Sequence, residues 1–309
     1  LKNRTTAGTN NNLTDAVRGV NKQLYSNDDV AEQTDSTIMT AFGADGFTVG
    51  TSSDINGSTN NIVSWNWKGD GVSGGTLNED GTENTQVNVN TTSGFSIVTY
   101  TGTGVVDTFG HGLSQAPELI LGKELSNSGR DWFVYSEPAG NTKFLELNTE
   151  NAEATDTTTW NSATPTASVF SLGVGSSTNS NDVSQEYVAY CFHSVEGYSK
   201  IGSYIPADVT SYPAPGSFVY CGFRPKYLLT KNITGSSGTW YINDGVRNPY
   251  NMVNRHLTAA GAGAEGTDSS MDFLSNGFKE YGQWGYNYEG DTILYIAFAE
   301  SPFKTANAR

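Results

Sequence analysis

A chain of 309 residues has room for two or three domains. A formal charge of −15 on only 16% charged residues argues against nucleic-acid phosphates and anionic membrane surfaces as direct partners, and no apolar run reaches the roughly 18 residues of a membrane-spanning helix. Thirty-five Gly with 16 Tyr, 14 Phe and 6 Trp favour short strands and tight turns over long helices or disorder.

Residues 1–68 read as a β repeat that lacks its beginning. The run LTDAVRG at Leu13–Gly19 matches INDGVRN at Ile242–Asn248, and AFGADGFTVG at Ala41–Gly50 matches FLSNGFKEYG at Phe273–Gly282. Ile62–Lys68, IVSWNWK, then matches the strand YVAYCF at Tyr187–Phe192. Within this stretch Asp54-Ile-Asn-Gly57 has the opening of a calcium loop but no bidentate Glu follows, so an Asn-Gly turn is expected. The acidic Asp28, Asp29, Glu32 and Asp35 are read as solvated loop.

Residues 69–93, rich in Gly, Asn and Thr, read as a linker whose later part, Gln86–Asn90, alternates Val with polar residues as an edge strand does. Two full repeats follow, 94–196 and 197–309. Trp132 and Trp240, Tyr187 and Tyr295, and Lys123 and Lys231 all stand 108 residues apart. The string APELILGK ending at Lys123 matches RPKYLLTK ending at Lys231, which places Lys2 as their counterpart in the first repeat. Short apolar runs such as DWFVYSE, TKFLEL and ASVFSLG, punctuated by NSG, PAGN and TNSND, predict strands, with a hairpin at Gly140–Asn141. AEATDTTTW and LTAAGAGAEG lack a helical apolar stripe, so at most a single helical turn is expected there. The fold class is therefore all-β: tandem β-sandwich, jelly-roll-like repeats, the first truncated at its N-terminus. Only His193–Glu196 separates the second repeat from the third, so a stiff connection is expected.

Chemistry is sparse. Trp132 and Trp240 share one strand position and are expected in the core. Trp160, Trp284, Tyr286 and Tyr288 lie in loop-like polar tracts, where exposed rings stack on sugar faces; they are the candidate ligand-binding residues, against the simpler reading of packed loops. No carboxylate spacing selects a glycosidase pair and no nucleophile elbow is present, so no catalytic residue is named and the chain is not read as an enzyme. Cys191 and Cys221 stand without helpful spacing from His111, His193 and His256, so no metal and no cofactor is expected. Whether the two cysteines pair is open.

The strings GFSIVTYTGTG at Gly94–Gly104, GHGLSQAPELILGK at Gly110–Lys123, YVAYCFHSVEGYSKIGSY at Tyr187–Tyr204 and YIAFAESPFK at Tyr295–Lys304 resemble a repeat-domain family of marine bacteriophages, including those of cyanobacteria. The resemblance spans nearly the whole chain. It implies a virion structural protein, assembled in the host cytoplasm as a homo-oligomer, with a trimer as first expectation by analogy with fibres. A tail fibre or surface appendage is the leading role; a host-surface carbohydrate-binding adhesin and a capsid decoration protein are the alternatives. Other virion proteins and a host glycan are the implied partners; nucleic acid and membrane insertion are not.

The chain begins at Leu1 rather than Met and reads as part of something longer. Without counterparts of the first strands of a full repeat, Phe42, Phe47, Val63 and Trp65 are expected to face an open groove, filled by upstream sequence or by a neighbouring subunit's strand.

Overall fold

Short runs in which Val, Ile, Tyr and Phe alternate with polar residues form strands because one side of each can be buried, and Gly, Asn and Asp between them accept turn geometries. The computed structural model describes residues 1–175, 177–207, 215–235, 238–281 and 289–302. Its chain forms two units. One comprises Leu1–Asn148, Ala154–Phe192 and Ala260–Ala264; the other comprises Thr149–Glu153, His193–Ala259 and Glu265–Arg309.

In the first unit the first repeat contributes β1 (Lys2–Asn3), β2 (Asn12–Leu13), β3 (Lys22–Tyr25), β4 (Gln33–Thr34), β5 (Met39–Phe42), β6 (Phe47–Val49), the one-turn helix α1 (Ser53–Asn56) and β7 (Ile62–Val63). β1 pairs with β7, β2 through β4 form a small meander, and β5 and β6 form a hairpin. α1 occupies the expected Asn-Gly turn: Ser52 accepts from the Asp54 N–H as its N-cap, and Gly57 ends it. Phe42 is 42% exposed, while Phe47, Val63 and Trp65 are half-buried.

The glycine-rich stretch after it carries β8 (Thr76–Asn78) and β9 (Thr85–Asn90). The expected edge strand at Gln86–Asn90 is thus an inner one, because the chain folds back at Glu79–Glu83 and β8 takes the edge. The second repeat supplies β10 (Phe95–Thr101), β11 (Asp107–Gly110), β12 (Leu119–Glu124), β13 (Phe133–Ser136), β14 (Lys143–Glu146), β15 (Ala154–Thr155), β16 (Val169–Leu172) and β17 (Glu186–Phe192). Eight strands make one sheet in the order β15-β14-β13-β12-β17-β10-β9-β8. β17 lies between β10 and β12, with Phe192 opposite both Phe95 and Leu119. One face of this sheet (Tyr100, Ile120, Phe133, Tyr187, Ala189, Cys191) packs against Phe109, Phe170 and Leu172 of the β11–β16 pair. Tyr100 and Tyr187 stack with ring centroids 4.8 Å apart, and their buried hydroxyls donate to the carbonyls of Ser180 and Asn179. Gly122 is required on β12, since a Cβ there would lie 2.2 Å from the Phe133 ring.

The third repeat supplies β18 (Ser199–Tyr204), β19 (Pro215–Tyr220), β20 (Pro225–Asn232), β21 (Tyr241–Asp244), β22 (Leu257–Thr258), β23 (Met271–Leu274), β24 (Gly277–Tyr281) and β25 (Ile293–Ala299). A sheet β18-β25-β20-β21-β22 and a sheet β19-β24-β23 enclose Val219, Leu228, Met271, Phe273, Phe278, Tyr295 and Ala297. Among the described residues, the architecture is all-β sandwich with one helical turn. β20 pairs with β25 as β12 does with β17, with the register shifted by two residues: Leu121 lies opposite Tyr190, whereas Leu229 lies opposite Ile296 rather than Phe298.

Trp160 packs against Phe133 and Tyr135, with ring centroids 5.8 and 5.4 Å apart. Replacing Trp160 with Ala is expected to cost about 3–5 kcal/mol, read as a lower urea midpoint with an unchanged slope.

Candidate functional site

Of the four aromatic residues expected to stack on sugars, one, Trp160, is among the described residues. Trp160 is fully buried, which corrects its reading as an exposed loop ring. Asp156 caps the turn at Thr158 and Thr159, and Thr159 meets Thr178 in the interior, so this polar tract turns its one large apolar side chain inward. Trp284, Tyr286 and Tyr288 lie outside the described residues. Trp132 and Trp240 are both fully buried. Trp132, however, sits on the outer face of the eight-stranded sheet, stacked on Tyr190 at 6.3 Å, with its Nε1–H donating to the Tyr25 carbonyl. It is buried under the first repeat rather than inside its own sandwich. Cys191 and Cys221 are free and buried; burial pushes the Cys221 thiol up to about 12, so neither is a ready nucleophile.

The polar residues that the fold does bring together are the three aligned lysines. Lys2, Lys123 and Lys231 are each at most 2% exposed. A buried ammonium needs acceptors, and backbone carbonyls are the main supply. Lys2 Nζ donates to Asn11 Oδ1 and to the Gly261 carbonyl at 2.8 Å. Lys123 Nζ donates to the Glu124 carbonyl at 3.0 Å and the Asp29 carbonyl at 3.3 Å. Lys231 Nζ donates to the Gly238 carbonyl and lies 5.8 Å from the Trp240 ring centre. Burial lowers the Lys123 ammonium to about 8, opposed by Glu124 and Asp29.

A second hydrogen bond accompanies each lysine. Gly8 N–H donates to Ala262 O, Gly129 N–H to Asp29 O and Gly238 N–H to Glu150 O. Asp29, Glu150 and Ala262 occupy one repeat position, fixed by Glu32, Glu153 and Glu265 three residues later. Glu32 N–H donates to Leu125 O and Glu153 N–H to Ile233 O, again at matched positions. In every case the carbonyl belongs to a different repeat from the lysine. The first repeat's loop serves Lys123, the second's (149–153) the Lys231 strand, and the third's (260–264) Lys2. We call this arrangement the lysine bracket.

A second repeated device is a buried ion network. Arg18 Nε meets Asp15 at 2.5 Å and Nη1 meets Glu32 at 3.0 Å; Arg247 meets Asp244 at 2.6 Å and Glu265 at 3.1 Å. In both, Nη2 donates to the carbonyl two residues before the Asp, Leu13 or Ile242. A second cation completes the Glu, Lys22 in one and Arg255 in the other. Burial opposes the Arg18 charge, but Tyr190, Asp15 and Glu32 outweigh it and raise its pKa. The second repeat has Ser136 and Ala139 at the Asp and Arg positions, and no such network. Lone Asp28, Asp29 and Asp35 remain loop residues, but Glu32 is a member of the network rather than solvated loop. Among the described residues no three His, Cys, Asp or Glu converge as a metal site, and no helix is long and apolar enough to cross a membrane.

A family model described as a domain of unknown function, DUF7483, matches residues 1–302. The chain belongs to the DUF7483 family. No curated protein and no solved structure matches it. The DUF7483 match runs without a break through all three repeats and the stretch between the first two.

Two outcomes follow from the buried charges. Asp244→Ala, which strands Arg247, is expected to destabilise by about 3–5 kcal/mol, whereas Ser136→Ala at the matched position should change stability by less than about 1 kcal/mol; chemical denaturation compares them. Glu280 is fully buried, and burial raises its pKa from 4.5 to about 8 against the opposing hydrogen bond of Tyr204. Between those values the folded chain keeps a proton that the unfolded chain has released, so stability falls as pH rises through that window. Glu280→Gln should flatten the fall and raise the melting temperature near neutral pH, measured by calorimetry across the window.

Proposed function

We propose that this chain is a structural component of a bacteriophage particle, present in several copies in a tail fibre or surface appendage. The lysine bracket is the observation that supports the reading best. At Lys2 and Lys123 the ammonium itself donates to a carbonyl from another repeat, and at Lys231 the bond from another repeat is the one from Gly238 N–H to the Glu150 carbonyl. Separating those repeats would leave a buried cation short of acceptors, a penalty well above that of a surface contact. Such fastening suits a protein whose task is to keep its shape under force. The acidic surface suits dense packing of many copies in solution, because like charge opposes non-specific association. The strings that resemble marine-phage repeat proteins give the particle its identity in this reading.

The test is immunogold labelling of purified phage that encode a DUF7483 protein. Label on tails or appendages is the expected outcome. Label on heads would move the role to capsid decoration, and label absent from particles would overturn the reading. Sedimentation at micromolar concentration is expected to show a homo-oligomer, with a trimer first; a stable monomer of the complete protein would count against multi-copy assembly.

A further inference from the structure

We infer that the cleft between Val17–Arg18 and Leu125–Ser126 is a binding site for a neutral or amino hexose. The cleft has a volume of about 400 Å³ and is lined by Val17, Arg18, Glu32, Gly74, Thr99, Leu125, Ser126 and Glu186, all within the first unit. That volume falls in the range of small-ligand sites, roughly 300–1,000 Å³.

Its polar groups are held in place before any ligand arrives. Glu186 opens β17, with its N–H donating to Ser126 Oγ at 3.0 Å and its carbonyl accepting from Leu125 N–H at 2.8 Å. Thr101 across the strand pair donates to Glu186 Oε1 at 3.0 Å. This fixes the carboxylate and leaves Oε2 as an acceptor facing solvent. Ser126 uses its oxygen to accept from Glu186 and keeps its hydroxyl hydrogen to donate. The Thr99 hydroxyl makes no hydrogen bond among the described residues. One oriented carboxylate beside two free hydroxyl donors matches the mixed donor and acceptor pattern of adjacent sugar hydroxyls. Val17 and Leu125 offer the apolar surface on which the C–H face of a pyranose rests.

Charge decides the class of sugar. Arg18 closes one side of the cleft, yet it is no anion site: Asp15, Glu32, the Leu13 carbonyl and the Tyr190 hydroxyl take its donors. The two cations Arg18 and Lys22 balance Asp15 and Glu32. Glu186 is left as the uncompensated charge of the lining. An acidic sugar would meet a like charge at its only carboxylate contact, whereas a neutral hexose is accepted and an amino sugar gains an ion pair. The lining does not include Trp160, and the inference is independent of the particle assignment above.

The experiment is an NMR titration of the full-length ¹⁵N-labelled chain with the methyl glycosides of glucose, galactose and mannose, with glucosamine, and with glucuronate. Saturable shifts at Thr99, Ser126 and Glu186 are expected with glucosamine and at least one neutral glycoside, and none with glucuronate. Glu186→Gln should weaken binding of the neutral glycoside by about tenfold, the loss of one charge-assisted hydrogen bond, and Thr99→Val by several-fold. Both substitutions are at the surface or on a half-exposed strand position, so melting curves matching the parent confirm that folding is intact. The inference is overturned by the absence of saturable shifts up to about 50 mM sugar, where a site of millimolar affinity would be filled. It is equally overturned by binding of glucuronate as strong as that of glucosamine, or by Glu186→Gln binding as tightly as the parent.

Discussion

A lysine ammonium buried beside a β-strand is the constraint from which much of this structure follows. Lys2 opens β1, Lys123 and Lys231 stand one residue before the end of β12 and β20, and each buried ammonium needs acceptors. Backbone carbonyls fill that role, and a strand already bonded on both sides has few to spare. The acceptors therefore come in part from loops that belong to another repeat, such as Asp29 and Gly261. This explains why residues 149–153 and 260–264 are grouped apart from the chain on either side of them. Excursions that read as ordinary loops supply acceptors to Lys2 and Lys123 and backbone bonds beside Lys231.

The ion networks around Arg18 and Arg247 act on the same principle at shorter range. A guanidinium offers five donors in a plane, and each network supplies an Asp, a Glu and a carbonyl in matching directions. In the first repeat this compact polar knot stands where a sandwich core would be, and Tyr190 from the second repeat's sheet completes it through its hydroxyl. In the third repeat the knot accompanies a full sandwich core. The second repeat has discarded it, and Ser136 leaves its hydroxyl buried without a partner among the described residues. Repetition of sequence has thus preserved the pairing of strands more strictly than the means of burial.

The outer face of the eight-stranded sheet is covered along part of its length. Tyr190 and Phe192 on β17 are covered by Trp132, Trp67 and the Arg18 network. Where that cover ends, Thr99 within β10, Ser126 just after β12 and Glu186 at the start of β17 line the proposed cleft. Groups held by strands and by hydrogen bonds to them need little ordering when a ligand arrives.

The strands, the period and the lysine alignment could be read from the chain because they depend on local alternation and on self-similarity. The 108-residue offset placed Trp132 with Trp240 and Lys123 with Lys231, the matched strings of the first repeat added Lys2, and all five are buried. The pairing of Asp15-x-x-Arg18 with Asp244-x-x-Arg247 was contained in the matched LTDAVRG and INDGVRN strings, although its meaning as a buried ion network was not, since charge in a polar tract looks the same whether solvated or enclosed. Trp160 was misplaced for the same reason: Thr, Asp and Asn around it signal a loop, but hydrogen bonds from Asp156 and Thr159 determine which way the ring turns. The cleft at Glu186 brings together residues from six separate parts of the chain with no shared motif. Local sequence thus determined strands and turns, because these depend on neighbours within a few residues. Tertiary structure alone decided which carbonyl meets which lysine and which polar groups stay open to solvent, because both depend on contacts between residues far apart along the chain.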